Sequence, residues 1–261
     1  MRVLFIADVV GKPGRRGLAA AMPELRDRHS PELVVVNAEN SAGGVGVTEK
    51  SAEDLFEAGA DALTLGNHTY RHRDAYEYLD REQRIVRPAN YPVANPGRGS
   101  TVISAGGMRV GVLSLSGQVH LNVARNAFHT ADAELDRLEG ETDAVLVDFH
   151  AEVTSEKVAM GWHLDGRAAA VLGTHTHVPT ADARVLPGGT AVLTDVGMTG
   201  ARNGIIGVKR KQAIEAFLTQ MPVRFETAEE DVWINGAVIE VNERGLADSI
   251  EQILMPAPAE S

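Results

Sequence analysis

The stretch RVLFIADVVGKPGRRGLAAAMPELRDRHSPELVVVNAEN, residues 2–40, decides how the chain is built. RVLFIAD is a short apolar, β-branched run with the character of a buried strand. RRGLAAAMPELRDRH follows as a helix, and ELVVVNAEN is a second strand of the same kind. A strand, a helix and another strand in immediate succession are the unit of parallel βαβ construction.

Working outward, TEKSAEDLFEAG is a helix with Thr48 or Ser51 as its N-cap, DALTLGNH a third strand and RDAYEYLDRE a short helix. Beyond the Pro-, Gly- and Asn-rich RPANYPVANPGRG the pattern changes. STVISAGGMRVGVLSLSG is two strands joined at Gly106-Gly107, a hairpin and not a crossover. After a long loop come the helix ADAELDRLEG, the strand DAVLVDFHAE, the helix SEKVAMGWHL and the strand AAAVLGTHTHVP. ARVLPGGTAVLTDVG is another hairpin, KRKQAIEAFLTQ a helix, and DVWINGAVIEVNERGLADSIEQIL a closing β pair. With no repeat, low-complexity tract or clear linker, one α/β domain over residues 1–261 is expected, with two packed sheets and helices outside them.

Composition narrows the chemistry. The 261 residues include no cysteine, which excludes disulfides, thiolate catalysis and iron–sulfur clusters, so any metal must sit on His, Asp, Glu or Asn. A net charge of −11 argues against a surface that grips extended nucleic acid through many phosphates. Asp8 interrupts the N-terminal apolar run, which does not have the form of a signal peptide, and no stretch reaches the roughly 18–20 apolar residues of a membrane span. A cytoplasmic location without membrane contact is expected.

Five apolar runs end in side chains able to bind a metal: Asp8 after VLFIA, Glu39 and Asn40 after LVVVNA, Asn67 and His68 after LTLG, His150 after VLVDF, and His175 and His177 after AVLG. In open α/β sheets ligands gather beyond the carboxyl ends of the strands, so residues scattered over 170 positions would converge. Each has an ordinary structural use: Asp8 as a helix cap, Asn40 in an Asx turn, His150 at a strand edge. The joint pattern needs all of those coincidences at once. Gly66 is expected to let the chain turn, and the glycine of GTHTH to permit tight approach of the histidine pair.

The series D-x-V-G, E-N, G-N-H, H, G-x-H-x-H resembles the calcineurin-like metallophosphoesterases, and in detail their bacterial YmdB-type phosphodiesterase branch. The resemblance implies a four-layer α-β-β-α sandwich of two mixed sheets. The commoner superfamily pattern opens with D-x-H and bridges its metals with the aspartate of G-D; here Asp8-Val9-Val10 lacks that histidine and Glu39-Asn40 stands in place of G-D. The YmdB-type branch is similar in both departures. Carried over, the resemblance implies that Asp8, Asn40 and His177 bind one metal, that Asn67, His150 and His175 bind a second, that Glu39 bridges them, and that His68 is catalytic without being a ligand.

Two cations about 3.5 to 4 Å apart can hold a bridging hydroxide and clamp a phosphoryl group, while His68 serves the leaving oxygen as general acid. Nitrogen and oxygen donors suit iron, manganese or zinc, and the resemblance favours iron or manganese. It implies a small phosphodiester substrate, with 2′,3′-cyclic nucleotides and 3′,5′-cyclic AMP foremost. A phosphomonoesterase using the same metals, or a regulatory scaffold with incidental hydrolysis, are the alternatives. Loops 114–134, with His120 and His129, and 197–211, with Arg202, are candidates for substrate contact. His29 is expected to be a favourable charge at a helix C-terminus. A homo-oligomer is compatible with the resemblance, although no heptad or exposed apolar stripe is apparent in the sequence.

Overall fold

The computed structural model describes residues 1–121, 123 and 125–258. Its chain begins with β1 (Arg2–Ile6), α1 (Gly11–His29), β2 (Leu33–Asn37), α2 (Glu49–Glu57), β3 (Ala62–Thr64), α3 (Tyr76–Arg81) and β4 (Ile85–Val86). These strands lie parallel and side by side. A second sheet follows: β5 (Ser100–Ala105), β6 (Met108–Ser116), α4 (Ala127–Leu138), β7 (Ala144–His150), α5 (Thr154–His163), β8 (Ala170–Thr174), β9 (Arg184–Val185) and β10 (Ala191–Leu193). The chain then returns to the first sheet through β11 (Gly200–Ala201), α6 (Arg210–Thr219), β12 (Val232–Val241) and β13 (Ala247–Pro256). The strand orders are β11-β12-β1-β2-β3-β4, with β13 on β12, and β5-β6-β7-β8-β10-β9.

The alternation of side chains along β1 makes the layers. Leu4 and Ile6 pack with Leu18 and Leu25 of α1 and Leu55 of α2, whereas Val3 and Phe5 point the other way into a core shared with Val112, Leu146, Leu172 and Leu193 of the second sheet. The far face of that sheet, through Leu113, Val147 and Phe149, packs with Leu135 of α4 and Met160 of α5. Three apolar seams thus separate four layers, the α-β-β-α sandwich of two mixed sheets.

Several boundaries differ from expectation for identifiable reasons. The first helix starts at Gly11 and takes in GKPG, because a proline in the first turn removes an N–H that has no helical partner there. Thr48, and not Ser51, caps α2; the two form a reciprocal capping box. Residues 127–130 belong to α4, capped by Asn126, and not to the preceding loop. Gly106 and Gly107 both have positive φ, 56° and 77°, as a two-residue hairpin of the type I′ kind requires. His29 is buried, and burial holds its imidazole below the ordinary value, against the favourable charge expected at a helix end. On α6 only Ala213 is buried, while Ile214, Phe217 and Leu218 face solvent at 48%, 80% and 80% exposure. That apolar stripe was present in KRKQAIEAFLTQ and contradicts the expectation of none. No helix among the described residues is long and apolar enough to cross a membrane.

Candidate metal centre

The strand ends do converge, and from both sheets. Asp8 follows β1, Glu39 and Asn40 follow β2, and Asn67 and His68 follow β3; His150 ends β7, and His175 and His177 follow β8. Asp8, Glu39, Asn40 and His150 are buried. Asp8, His175 and His177 have φ of 35°, 100° and 66°, a region that side chains other than glycine occupy at a cost and that recurs where function fixes the backbone. The histidine pair therefore lies on left-handed turns and not on extended chain.

Gly66 has no positive φ, so a turn is not what requires it. A Cβ there would come within 2.3 Å of Cδ2 of His150, and it is this close approach of ring to backbone that excludes a side chain. Gly173 is similarly constrained, since a Cβ would sit 1.8 Å from the carbonyl oxygen of Thr194.

The protonation of His150 can be traced from its neighbours. Asp148 accepts from Thr174 Oγ1 at 2.7 Å, and Thr174 Oγ1 lies 2.9 Å from His150 Nδ1. Having given its one proton to a carboxylate, the hydroxyl must accept from Nδ1–H, which leaves Nε2 with a lone pair. That lone pair faces Asn67 Oδ1 at 2.9 Å, His175 Nδ1 at 3.0 Å and Glu39 Oε1 at 3.3 Å. His175 Nε2 is 2.8 Å from Glu152 Oε2, and donating to that carboxylate leaves its Nδ1 bare as well. With both imidazoles neutral, four acceptor atoms therefore meet with no proton to share.

Donors about 2.1 Å from one ion and at right angles are themselves about 3.0 Å apart, so these separations fit edges of a coordination polyhedron. Without a cation, a proton takes its place: burial would lower the His150 pKa, but Glu39 raises it to about 9. Burial pushes the Glu39 carboxyl up, yet His150 and His68 outweigh this and hold it well below the usual carboxylate range. Burial, reinforced by His150, takes His175 down to about 3.

On the other side, Asp8 Oδ2 accepts from the His175 amide at 2.9 Å. Its Oδ1 is buried without a hydrogen-bond partner among the described residues and lies 3.9 Å from His177 Nε2. Burial raises the Asp8 pKa, partly offset by His177 and His150. An orphaned carboxylate oxygen beside an imidazole whose Nδ1 is engaged by the Ile206 carbonyl at 3.0 Å is a second position fit for a cation. Asn40 turns Nδ2 to His177 Nε2 at 3.1 Å and Oδ1 to His68 Nδ1 at 3.2 Å, so its amide must rotate for oxygen to join that position. No group of three or more His, Asp or Glu side chains among the described residues makes a ligand set alone. The amide oxygen of Asn67 adds a further donor 2.9 Å from His150 Nε2.

His68 differs from the other histidines. Its Nδ1 lies 3.1 Å from Glu39 Oε1 and 3.2 Å from Asn40 Oδ1, two acceptors that keep a proton on it, and its side chain is 37% exposed. Its backbone amide also donates to Glu39 Oε1, at 2.9 Å, while Gly66 N donates to Oε2 at 2.6 Å. Glu39 thereby anchors the G-N-H turn.

Four participants were not selected from sequence. Asp148 and Thr174 set the His150 tautomer, and Glu152 that of His175. Asp195 Oδ2 pairs with the buried Lys157 Nζ at 2.6 Å and also accepts from Thr176 Oγ1 at 2.6 Å, between the two histidines of the pair. Asp195 follows the apolar AVLT and satisfies the same strand-end rule as the others. His120 is exposed and His129 lies in α4; neither hydrogen-bonds to the cluster among the described residues. Asn122 and Ala124 of the 114–134 loop lie outside the described residues.

A four-layer sandwich with this polar cluster at the strand ends defines the class: a calcineurin-like metallophosphoesterase, a hydrolytic enzyme. Residues 4–253 match the family described as YmdB-like protein, and the chain belongs to that family. It is 45% identical over 256 residues to the 2′,3′-cyclic-nucleotide 2′-phosphodiesterase of Bacillus subtilis, covering 98% of this chain and 97% of that one. Its fold is similar to a hypothetical protein from Thermus thermophilus, with TM-score 0.93, 42% identity, and 99% and 100% of the two chains covered. It is also similar to a phosphatase from Mycoplasma pneumoniae, with TM-score 0.91, 33% identity, and 98% and 93% covered.

Proposed function

We propose that this chain is a binuclear metal-dependent phosphodiesterase that opens 2′,3′-cyclic nucleotides, with His68 as general acid. The observation that carries the reading is the meeting of His150 Nε2 and His175 Nδ1, the ring nitrogens left without a proton in the neutral imidazoles, with Glu39 Oε1 and Asn67 Oδ1, beside a histidine that is kept out of the set. Asn67, His150 and His175 would hold one ion, Asp8, Asn40 and His177 the other, and Glu39 both. The donor set suits iron or manganese, with zinc next. Bound cations supply the positive charge that neutralises phosphoryl oxygens and acidifies water.

The chain's own residues do the rest. Glu39 keeps the His68 proton on Nδ1, so Nε2 is the atom that carries a second proton to the substrate. When water adds to phosphorus and the bond to O2′ breaks, Nε2–H protonates that oxygen and a 3′-phosphate is released. Such positioned proton transfer is worth about 10²- to 10⁴-fold. The similarity to the Bacillus subtilis protein supports the choice of substrate.

The test is elemental analysis of the purified protein together with hydrolysis of bis-p-nitrophenyl phosphate, p-nitrophenyl phosphate, 2′,3′-cyclic AMP and 3′,5′-cyclic AMP. About two ions per chain and faster turnover of diesters than of the monoester are expected, with 2′,3′-cyclic AMP preferred. Faster turnover of the monoester would make the enzyme a phosphomonoesterase, and bound metal without turnover would leave a scaffold.

A further inference from the structure

A cleft of about 380 Å³ begins at His177 and takes no part in the chemistry above; Val178, Arg202, Ile206, Trp233 and Leu254 also line it. Its size falls within the roughly 300–1,000 Å³ of small-molecule sites. Val178, Ile206 and Leu254 are 60%, 57% and 47% exposed, so three of the larger solvent-facing apolar side chains of the protein gather at one place. None of the described residues lining it is acidic, in a chain of net charge −11.

One wall of the cleft is a built stack. The guanidinium carbon of Arg202 lies 4.3 Å from the centre of the Trp233 ring. Asp231 fixes both members, accepting from Trp233 Nε1 at 2.8 Å through its side chain and from the Arg202 amide at 2.8 Å through its carbonyl. His177 joins the cleft to the candidate metal centre: one ring nitrogen faces Asp8 and Asn40, and the other is held by Ile206, which lines the cleft.

We propose that this cleft receives the nucleobase of the substrate, with the Arg202–Trp233 stack as its planar platform. The inference rests on the phosphodiesterase reading for its substrate class. A planar base carried one sugar away from the reacting phosphorus meets apolar walls on its edges and a flat cationic or aromatic face, the surfaces on which bases stack without sequence preference. Such a platform discriminates nucleotides from small diesters that lack a base, and discriminates little among the bases.

The chain has two tryptophans, Trp162 and Trp233. Trp162 lies in α5 and is 53% exposed, so Trp162→Phe leaves Trp233 as the only fluorescent indole at little risk to folding. On that background, fluorescence is titrated with adenosine and with adenosine 3′-monophosphate, against ribose 5-phosphate and inorganic phosphate. Saturable quenching by the two adenine compounds and none by the controls is expected. Arg202→Ala should weaken adenosine binding by about 5- to 150-fold, the range that loss of a base-stacking partner produces. Absence of quenching by adenosine, equal quenching by ribose 5-phosphate, or unchanged affinity in Arg202→Ala would each overturn the proposal. The readout needs no turnover, so quenching by adenosine in a protein that hydrolyses no diester would refute the phosphodiesterase reading while leaving the base site standing.

Discussion

Replacing Asp148 by Asn should reverse the tautomer of His150. Burial pushes Asp148 up to about 6, so near neutral pH it is largely a carboxylate, and all three of its partners donate to it: Asn37 Nδ2 at 2.7 Å, Thr64 Oγ1, and Thr174 Oγ1 at 2.7 Å. The Asn37 amide cannot turn over, because its Oδ1 accepts from Glu39 N at 3.1 Å. The oxygen of an amide introduced at 148 must therefore stay toward Asn37, which turns its NH₂ toward Thr174. The threonine hydroxyl then accepts from that NH₂ and donates to His150 Nδ1, moving the imidazole proton to Nε2 among Glu39, Asn67 and His175. Loss of such an outer partner costs about 10- to 100-fold in metal affinity, or about 1.4–2.7 kcal/mol. Calorimetric titration of manganese into the metal-free protein reads the affinity, and ¹⁵N–¹H spectra taken above pH 9, where the imidazole is neutral, read the tautomer. Affinity within twofold of the parent, in a variant with an unchanged fold, would refute the relay.

His68→Ala is expected to lower diester turnover by about 10²- to 10⁴-fold and to leave metal content intact, as elemental analysis would show; parallel loss of metal would make His68 a ligand. Lys157→Met leaves the Asp195 carboxylate buried and unpaired and should cost about 3–5 kcal/mol in urea unfolding, with loss of order at Thr176 visible by hydrogen exchange. Burial would raise the Asp182 pKa, but hydrogen bonds from Thr194 and Thr180 outweigh it and hold the group below its ordinary 3.8. Its contribution to stability is therefore complete above that value and is lost as pH falls through the lower folded one. Asp182→Asn should flatten the decline in urea midpoint between pH 5 and pH 3, and an unchanged slope would remove the group from the acid response.

The βαβ alternation was legible because each buried strand in residues 2–40 is a continuous apolar run, and the strand-end rule followed from topology. Where one helix began and another was capped was less legible, since GKPG, with two glycines and a proline, carries no apolar period of its own ahead of RRGLAAAM. The residues that became visible only in three dimensions act through others. Asp148 stands two positions before His150 inside a strand, where period-2 alternation puts both on one face, but only Thr174, from the neighbouring strand, shows why they are linked. Glu152 is an exposed acid in a turn, indistinguishable in sequence from a solvated one. The cause of Gly66 was also hidden, because the ring that forbids its Cβ arrives from the other sheet.

That last feature reaches beyond one glycine. Glu39 and Asn67 ride on the first sheet and His150 and His175 on the second, so the site is a gauge set across a joint. The spacing of the two sheets is fixed by the filling between them, by Phe5, Leu33, Leu146 and Leu172. Those interior side chains lie behind the cluster, and their bulk sets the distances across it. A close-packed interior transmits the loss of a methyl group as displacement, so sequence drift in that buried filling shifts the distances between Glu39 and Asn67 on one side and His150 and His175 on the other.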